Sequence, residues 1–589
     1  MSVGNKEHKK KGSKLKKLVT ENKPIVVGGL IASFAIAGII GGIYWFNISQ
    51  PIPPGVVLVV GVQWGPFSLD PIESAFDDSI FYDQVAEGLF DYNYSSEFYK
   101  LIPNLAINHW WSENGTELTC VLRQGVKFHD DTSFDATAVQ WNFDRLYGLI
   151  DSATYGDLWL LPNGKWIINK TQILNETAIK FLLNAPYAPL EALLATPASY
   201  ILSPSSTPKD DFIDLHSGDL VGTGPFIYDN YVPFAKVTMS HNPNYWGGKP
   251  KVDRLIFSIV GWNSSDPVKN ANYTGKAMEA MLSGKISIIP GAEWLHANET
   301  MFDNLINNPN ITLYKESPGA SIQFIIMNNK LINKTMRKAI SYAINYSYIN
   351  ERAYGGEGLR CRSPIPRGML YSNNEDFNTP YYNVSIARQI LIDAKWNRTS
   401  GLIANNNISA GNEWEKIANS SFPLATYNFT YQLGFPFAED MSVLLTENLK
   451  QIGVKVATSV GLPMWQYLSI LREDPGYHRD MLELSMLGWG VDYNDPSDFI
   501  NPLFTNKMPA YNWGQVNDTQ VQQWMDEALF ETNQTAREQL YYKIQERLIE
   551  VVYPYAWTFI GKRLDVYLSN LRGWNSNPYK KLFKSVYFS

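Results

Sequence analysis

The chain of 589 residues is poor in the groups that most extracellular or catalytic chemistry depends on. It has two cysteines, Cys120 and Cys361, so it is not a disulfide scaffold and must stand on its own cores. Whether the two pair is not decided by sequence, although Cys120 alternates with apolar neighbours in a strand-like stretch, as a small core residue would. Seven histidines, His8, His109, His129, His216, His241, His296 and His478, include no two at metal-ligand spacing. The chain holds no Gly-x-Ser-x-Gly elbow, no His-Glu-x-x-His and no phosphate loop. Acid pairs such as Asp130-Asp131 are ordinary on surfaces. No catalytic residue, metal site or cofactor is therefore expected. Short internal repeats and low-complexity tracts are also absent.

Charge is missing altogether from Pro24–Phe46. As a helix this run would measure about 34 Å, enough to cross a bilayer. Residues 1–23 carry eight lysines against Glu7 and Glu21, a charge of +6, which expects a cytoplasmic N-terminus and an external remainder. Tyr44 and Trp45 fit the outer interface. A cleaved signal peptide is the other reading, with Ala35-Ile-Ala37 as its small-residue site. The apolar run continues through Ile39, Ile40 and Ile43, which favours a retained anchor. Residues 47–55, with Pro51, Pro53 and Pro54, read as a stiff linker. The whole chain is −7, so beyond the +6 tail it carries −13, which argues against a nucleic-acid partner.

What is abundant is Asn-x-Ser/Thr. The 49 asparagines include 18 such sequons, among them Asn93, Asn114, Asn175, Asn272, Asn298, Asn310, Asn407, Asn428, Asn517 and Asn533. Chance would give about six, with Ser or Thr falling at the third position roughly once in eight. The excess points to a glycosylated outer surface of archaeal or eukaryotic type.

About 535 residues remain outside the membrane, more than one domain usually holds. Strand and helix patterns mix throughout, so an α/β or α+β architecture is expected. Asn333 to Ile349 reads as one helix, and Ala438 to Ile452 as another, stopped by Gly453. Thr535-x-x-Glu538 reads as a capping box that opens a helix burying Leu540, Ile544, Leu548 and Val551. Gly222-Thr223-Gly224-Pro225 reads as a turn into a strand. Met481 to Met486, with Leu482, Leu484 and Met486 on one face, reads as a strand running into Leu487-Gly488-Trp489-Gly490-Val491-Asp492. Glycines there would let another chain approach, and Asp492 would meet a positive charge. A buried Trp followed by an ordinary Asn-Asp-Pro turn fits equally well.

Seven landmarks fall in a fixed order: Leu69-Asp70-Pro71; Glu87-Gly88-Leu89-Phe90; Leu105-Ala106 with Trp110; Leu122-Arg123 through Gly125, Lys127, Phe128, His129 and Asp130; Gly222-Thr-Gly-Pro-Phe226 with Asn242-Pro-Asn-Tyr-Trp246; Arg337-Lys-Ala339 with Ala343-Ile344; and Gly488-Trp489 with Asp492, Tyr493, Asp495 and Pro496. This series resembles the extracellular solute-binding proteins, family 5, the dipeptide/oligopeptide-binding proteins of ABC transporters. It departs in three ways: Asp131 stands where the family has Gly, Asn345 where it has Asp, and the anchor is an N-terminal span instead of a lipidated Cys.

The resemblance implies a two-lobe periplasmic-binding-protein-like fold. Lobe I would be 56–84, 201–316 and 559–589, with an inserted subdomain at 85–200, and lobe II 317–558. The chain would cross near Ser317-Pro318-Gly319 and Val552-Tyr553-Pro554. It implies an oligopeptide ligand and an ABC permease as partners. Asp492 would pair with the ligand's α-ammonium, and Leu487, Gly488, Trp489 and Gly490 would add a strand to it. Ser74, Ala75, Phe76 and Asp77 would form the other wall, with Tyr155 nearby. An oligosaccharide ligand on the same fold, or an extracellular hydrolase, are the alternatives.

Overall fold

The computed structural model describes residues 55–589 except 75–77, 97, 217, 261–266, 293–294, 296–298, 316–319, 355, 357, 373–376, 397–410, 434–437, 508–510, 561–563 and 578. The basic tail, the Pro24–Phe46 run, Ala75, Phe76, Asp77, Asn298, Asn407 and Ser317-Pro318-Gly319 lie outside the described residues. No helix among the described residues is long and apolar enough to cross a membrane.

Alternating and continuous apolar runs build three sheets of size. The first has seven strands in the order Ile311–Lys315, Leu564–Leu568, Ile288–Ile289, Val57–Val62, Arg254–Ile259, Lys236–His241 and Phe226–Val232. Val57–Val62 lies parallel to Arg254–Ile259 at its centre. The second has six strands in the order Leu359–Arg360, Tyr555–Ile560, Ser321–Met327, Leu484–Gly490, Ala425–Gln432 and Val454–Leu462. Between the first two segments of the seven-stranded sheet the chain makes a third, antiparallel sheet of Ala106–Trp111, Glu117–Leu122, Ala178–Leu183 and Ile168–Asn175. Helix Ala136–Leu149, capped by Asp135, packs into that sheet's core, which also takes in Tyr493 and Leu529.

The chain passes from the first large sheet to the second between Lys315 and Ser321, and returns between Ile560 and Leu564. The return is later than the expected Val552-Tyr553-Pro554. Tyr555–Ile560 pairs with Ser321–Met327 and so holds the chain in the second sheet.

Three helix expectations are corrected. Asn333–Ile349 is two helices, Lys334–Ala343 and Tyr346–Tyr354, because Ile344 is extended and the Asn345 N–H donates to Asn448 Oδ1 at 2.7 Å. The later helix starts at Gln534 and is capped by Asn533, whose side chain accepts the Ala536 N–H, so Thr535 and Glu538 do not form the capping box. Val551 is 40% exposed and Val552 is buried, since a π turn over Leu548–Val552 shifts the helical face by one position. Cys120 and Cys361 are free thiols, each buried in a different core.

Candidate functional site

The strand at the heart of the candidate site runs Leu484–Gly490, starting later than Met481 because Arg479–Met481 forms a 3-10 turn. Leu482, Leu484 and Met486 are all buried, as their spacing implies. The strand pairs along its whole length with Ser321–Met327, antiparallel, Gly490 opposite Ser321 and Leu484 opposite Met327. Asn328 N–H donates to Glu483 O and Val491 N–H to Ala320 O, each at 3.0 Å. Bonds to the inner strand therefore fall on every second residue, 483 through 491, and the backbones of Met486, Gly488 and Gly490 face the other edge.

That edge is paired with Ala425–Gln432 only at Leu484 and Ser485. Tyr467 Oη donates to Met486 O at 2.8 Å and closes the next position. The N–H and C=O of Gly488 and Gly490 thus face an edge that carries no described ladder. The two glycines differ. A Cβ on Gly490 would meet nothing within 4 Å, whereas one on Gly488 would collide with the Gln323 amide. On this face the space at Gly488 belongs to Gln323, whose buried Oε1 has no hydrogen-bond partner among the described residues.

Beyond the strand, three carboxylates lie close together and take different roles. Asp495 is buried and makes two bonds to Arg537, 2.6 and 2.7 Å. Asp498 is fully buried and accepts the Asp492 N–H at 2.8 Å, the Tyr493 N–H at 3.4 Å and Trp489 Nε1–H at 3.3 Å. Desolvation still pushes its carboxyl up to about 8. These two acids build the turn, and half-buried Asp492 stands at the strand end. Trp489 is half-buried too, with Tyr511 and Trp513 at ring-centroid distances of 5.6 and 5.7 Å. Asn494 ties the turn to the C-terminal segment and to the hairpin of Phe90–Tyr92 and Leu101–Pro103. Its N–H donates to Tyr92 Oη at 3.2 Å, its amide donates to Phe98 O and Tyr99 O at 2.6 and 3.1 Å, and it accepts Tyr579 O–H at 2.9 Å.

On the other expected wall, Ser74 is buried and its N–H donates to Asp70 O at 3.2 Å. Asp70 organises this stretch. Its carboxylate accepts the Ile72 and Ile213 N–H groups, both at 3.0 Å, and pairs with both terminal nitrogens of Arg145. Tyr155 packs against the core of the inserted sheet.

Met464 and Trp465 escaped the sequence reading. They open the helix Met464–Arg472 with 57% and 64% exposure, and the same helix supplies Tyr467 to the strand edge. Leu462 and Leu468 on either side pack against the same core as Leu487 and Trp489. The available signal was an apolar Met-Trp pair directly after Pro463.

Most other landmarks converge on one buried carboxylate. Glu87 accepts Thr223 O–H, Tyr245 O–H and Trp246 Nε1–H at 2.8, 2.7 and 2.8 Å, and Arg123 lies 4.0 Å over the Trp246 ring. Burial pushes the Glu87 carboxyl up. His129 bridges to Gly224 O at 2.9 Å, and a Cβ on Gly222 would strike the Val85 carbonyl. These residues serve the fold. No cluster of His, Cys, Asp or Glu among the described residues could hold a metal ion. Of the sequon asparagines, Asn93, Asn114, Asn175, Asn310, Asn428, Asn517 and Asn533 are exposed, and Asn272 lies in the Pro267–Leu282 helix.

The family model of the bacterial extracellular solute-binding proteins, family 5, matches residues 100–509. The dipeptide-binding protein of Escherichia coli K12 is 27% identical over 432 residues, 69% of this chain and 70% of that protein. Among solved structures, the periplasmic binding protein DppA of Helicobacter pylori, in complex with the peptide STSA, superposes with a TM-score of 0.69 at 22% identity over 90% of this chain and 98% of that one. NikA of Brucella suis in complex with Fe(III)-EDTA does so with a TM-score of 0.73 at 19% identity, over 91% and 100%. The mixed α/β periplasmic-binding-protein fold is common to them.

Proposed function

Because the chain belongs to the bacterial extracellular solute-binding proteins, family 5, we propose that it captures oligopeptides outside the cell and delivers them to an ABC permease. The observation that carries this reading is the strand edge at Gly488–Gly490. Its backbone donors and acceptors face an edge without a described ladder, beside an acid, Asp492, and the helix that reaches this edge through Tyr467 also carries exposed Met464 and Trp465. An extended peptide can complete that ladder by main-chain hydrogen bonds whatever its sequence, while Asp492 takes the α-ammonium and the apolar pair takes a side chain. The relatives' ligands range from a peptide to a chelated iron, so family membership alone does not select the peptide. The strand edge is what supports a peptide.

In this reading the seven-stranded and six-stranded sheets are the cores of two lobes, expected as 56–84 with 201–316 and 559–589, and as 317–558, with the second carried on to Ile560 by the strand Tyr555–Ile560. The chain segments between them form the hinge that closes over ligand. Ser74 to Asp77 supply the facing wall, and Tyr155 belongs to the inserted subdomain, 85–200. Pro24–Phe46 is a retained single-pass anchor, and the exposed sequons carry glycans. The protein binds and releases its ligand without turning it over and needs no cofactor.

The test is calorimetry of a short peptide library against wild type and Asp492→Ala. The variant is expected to lose about 2–5 kcal/mol of binding, because an α-ammonium is left unpaired in a closed cleft, while its thermal midpoint holds. Unchanged affinity would remove Asp492 from the site. Tight binding of a non-peptide solute alone would overturn the ligand class.

A further inference from the structure

The strand Ser321–Met327 has Gly490 opposite one end. Past its other end, about 20 Å away at 3.3 Å per residue, lies a cavity of about 280 Å³. It is open to solvent and lined by the 329–337 segment, by 515–518, by Arg547 and by the end of the Leu548–Val552 π turn, whose Val551 and Val552 give it an apolar side.

Its charges are one-sided. Arg337 is 6% exposed and donates to the carbonyls of Ile332, Val552 and Tyr553, so it closes the C-terminal end of the long helix. No described carboxylate pairs with its guanidinium, and burial pushes its pKa down to about 10. Asp518 is already neutralised by Arg547, through bonds of 2.7 and 2.9 Å. Lys330 and Lys334 are exposed along the same lining and form no ion pair with a described carboxylate. The helix Lys334–Ala343 also begins here, adding the positive end of its dipole. On a chain that carries −13 outside its basic tail, four cationic side chains round one cavity with a single acid among them run against the overall charge.

We propose that this cavity is a second binding site, for a small free oxyanion of more than one negative charge, such as phosphate, sulfate or a polycarboxylate. The anion sits between Lys330 and Lys334 against the Arg337 guanidinium and relieves the repulsion among them. The volume suits an anion of citrate size or smaller. The site lies apart from the peptide edge and does not depend on the peptide reading.

The experiment is calorimetric titration of the full-length chain in detergent with phosphate, sulfate and citrate, at ionic strength held constant with sodium chloride. One of the three is expected to bind saturably, one per chain. The double variant Lys330→Gln, Lys334→Gln removes only exposed charges, so its thermal midpoint should hold while its affinity for that anion falls at least tenfold. Its affinity for peptide, titrated separately, should stay unchanged. Absence of saturable binding above the chloride background overturns the site, and so does binding that the double variant leaves intact.

Discussion

Asp70 shows how a short motif acquires meaning from a residue far along the chain. Leu69-Asp70-Pro71 stands out in the sequence, but its partner Arg145 is 75 residues away on another element, and both side chains are fully buried. Removing one partner leaves an unpaired buried charge. Asp70→Ala is therefore expected to destabilise the protein by about 3–5 kcal/mol in urea unfolding, and a loss under about 1 kcal/mol would show the pair to be dispensable. Asp131 makes a related point. The resemblance expects Gly there, and the residue does adopt φ of 64°, a left-handed conformation that Asp tolerates better than most. The acids near the C-terminus were harder. Asp492, Asp495 and Asp498 are equivalent by spacing, and only the packing of Arg537 and the Trp489 indole separates the two turn-builders from the one at the strand end.

At the scale of the element, periodicity served where an element answers to its own pattern. The buried alternation of Leu482, Leu484 and Met486 and the helix Ala438–Lys450 followed from spacing. It failed where a neighbour intervenes: Asn448 breaks the helix at Asn345, and the π turn exchanges Val551 for Val552. The open strand edge belongs to this scale as well. The glycines were legible, but the direction of their N–H groups depends on register against Ser321–Met327. Gly490→Pro removes an N–H that faces the open edge and leaves the bonds of Trp489 and Val491 to the inner strand in place. It should fold, and by calorimetry should bind peptide about tenfold more weakly, the worth of one hydrogen bond of roughly 1.4 kcal/mol. Wild-type affinity in this variant would mean that the ligand does not extend the sheet at Gly490.

Across the whole molecule, the turn after the strand, the hairpin of Phe90–Tyr92 and Leu101–Pro103 and the C-terminal segment are joined at Asn494 and Tyr579. Next to this junction lies a buried charged group: Lys580 donates to Asp91 Oδ1 at 2.9 Å, and Asp83 accepts Tyr200 O–H at 2.5 Å. Desolvation raises Asp83 to about 7. The folded protein holds this proton more tightly than the unfolded chain, so Asp83 stabilises most below about pH 4, and that contribution is lost as pH rises towards 7. Asp83→Asn should flatten this part of the pH dependence and raise the thermal midpoint at pH 8 relative to wild type, with little change at pH 4. Parallel pH curves for the two proteins would assign the titration elsewhere. By itself the sequence determined the family and the mixed α/β class, because the family pattern spans residues 100–509 and strand and helix periodicities alternate along the chain. Which glycine is open, which acids cap the turn, where the chain returns between the large sheets and where positive charge gathers were decided by tertiary structure alone. Each depends on hydrogen-bond direction or on loss of solvent, and both are set by groups tens to hundreds of residues away in the chain.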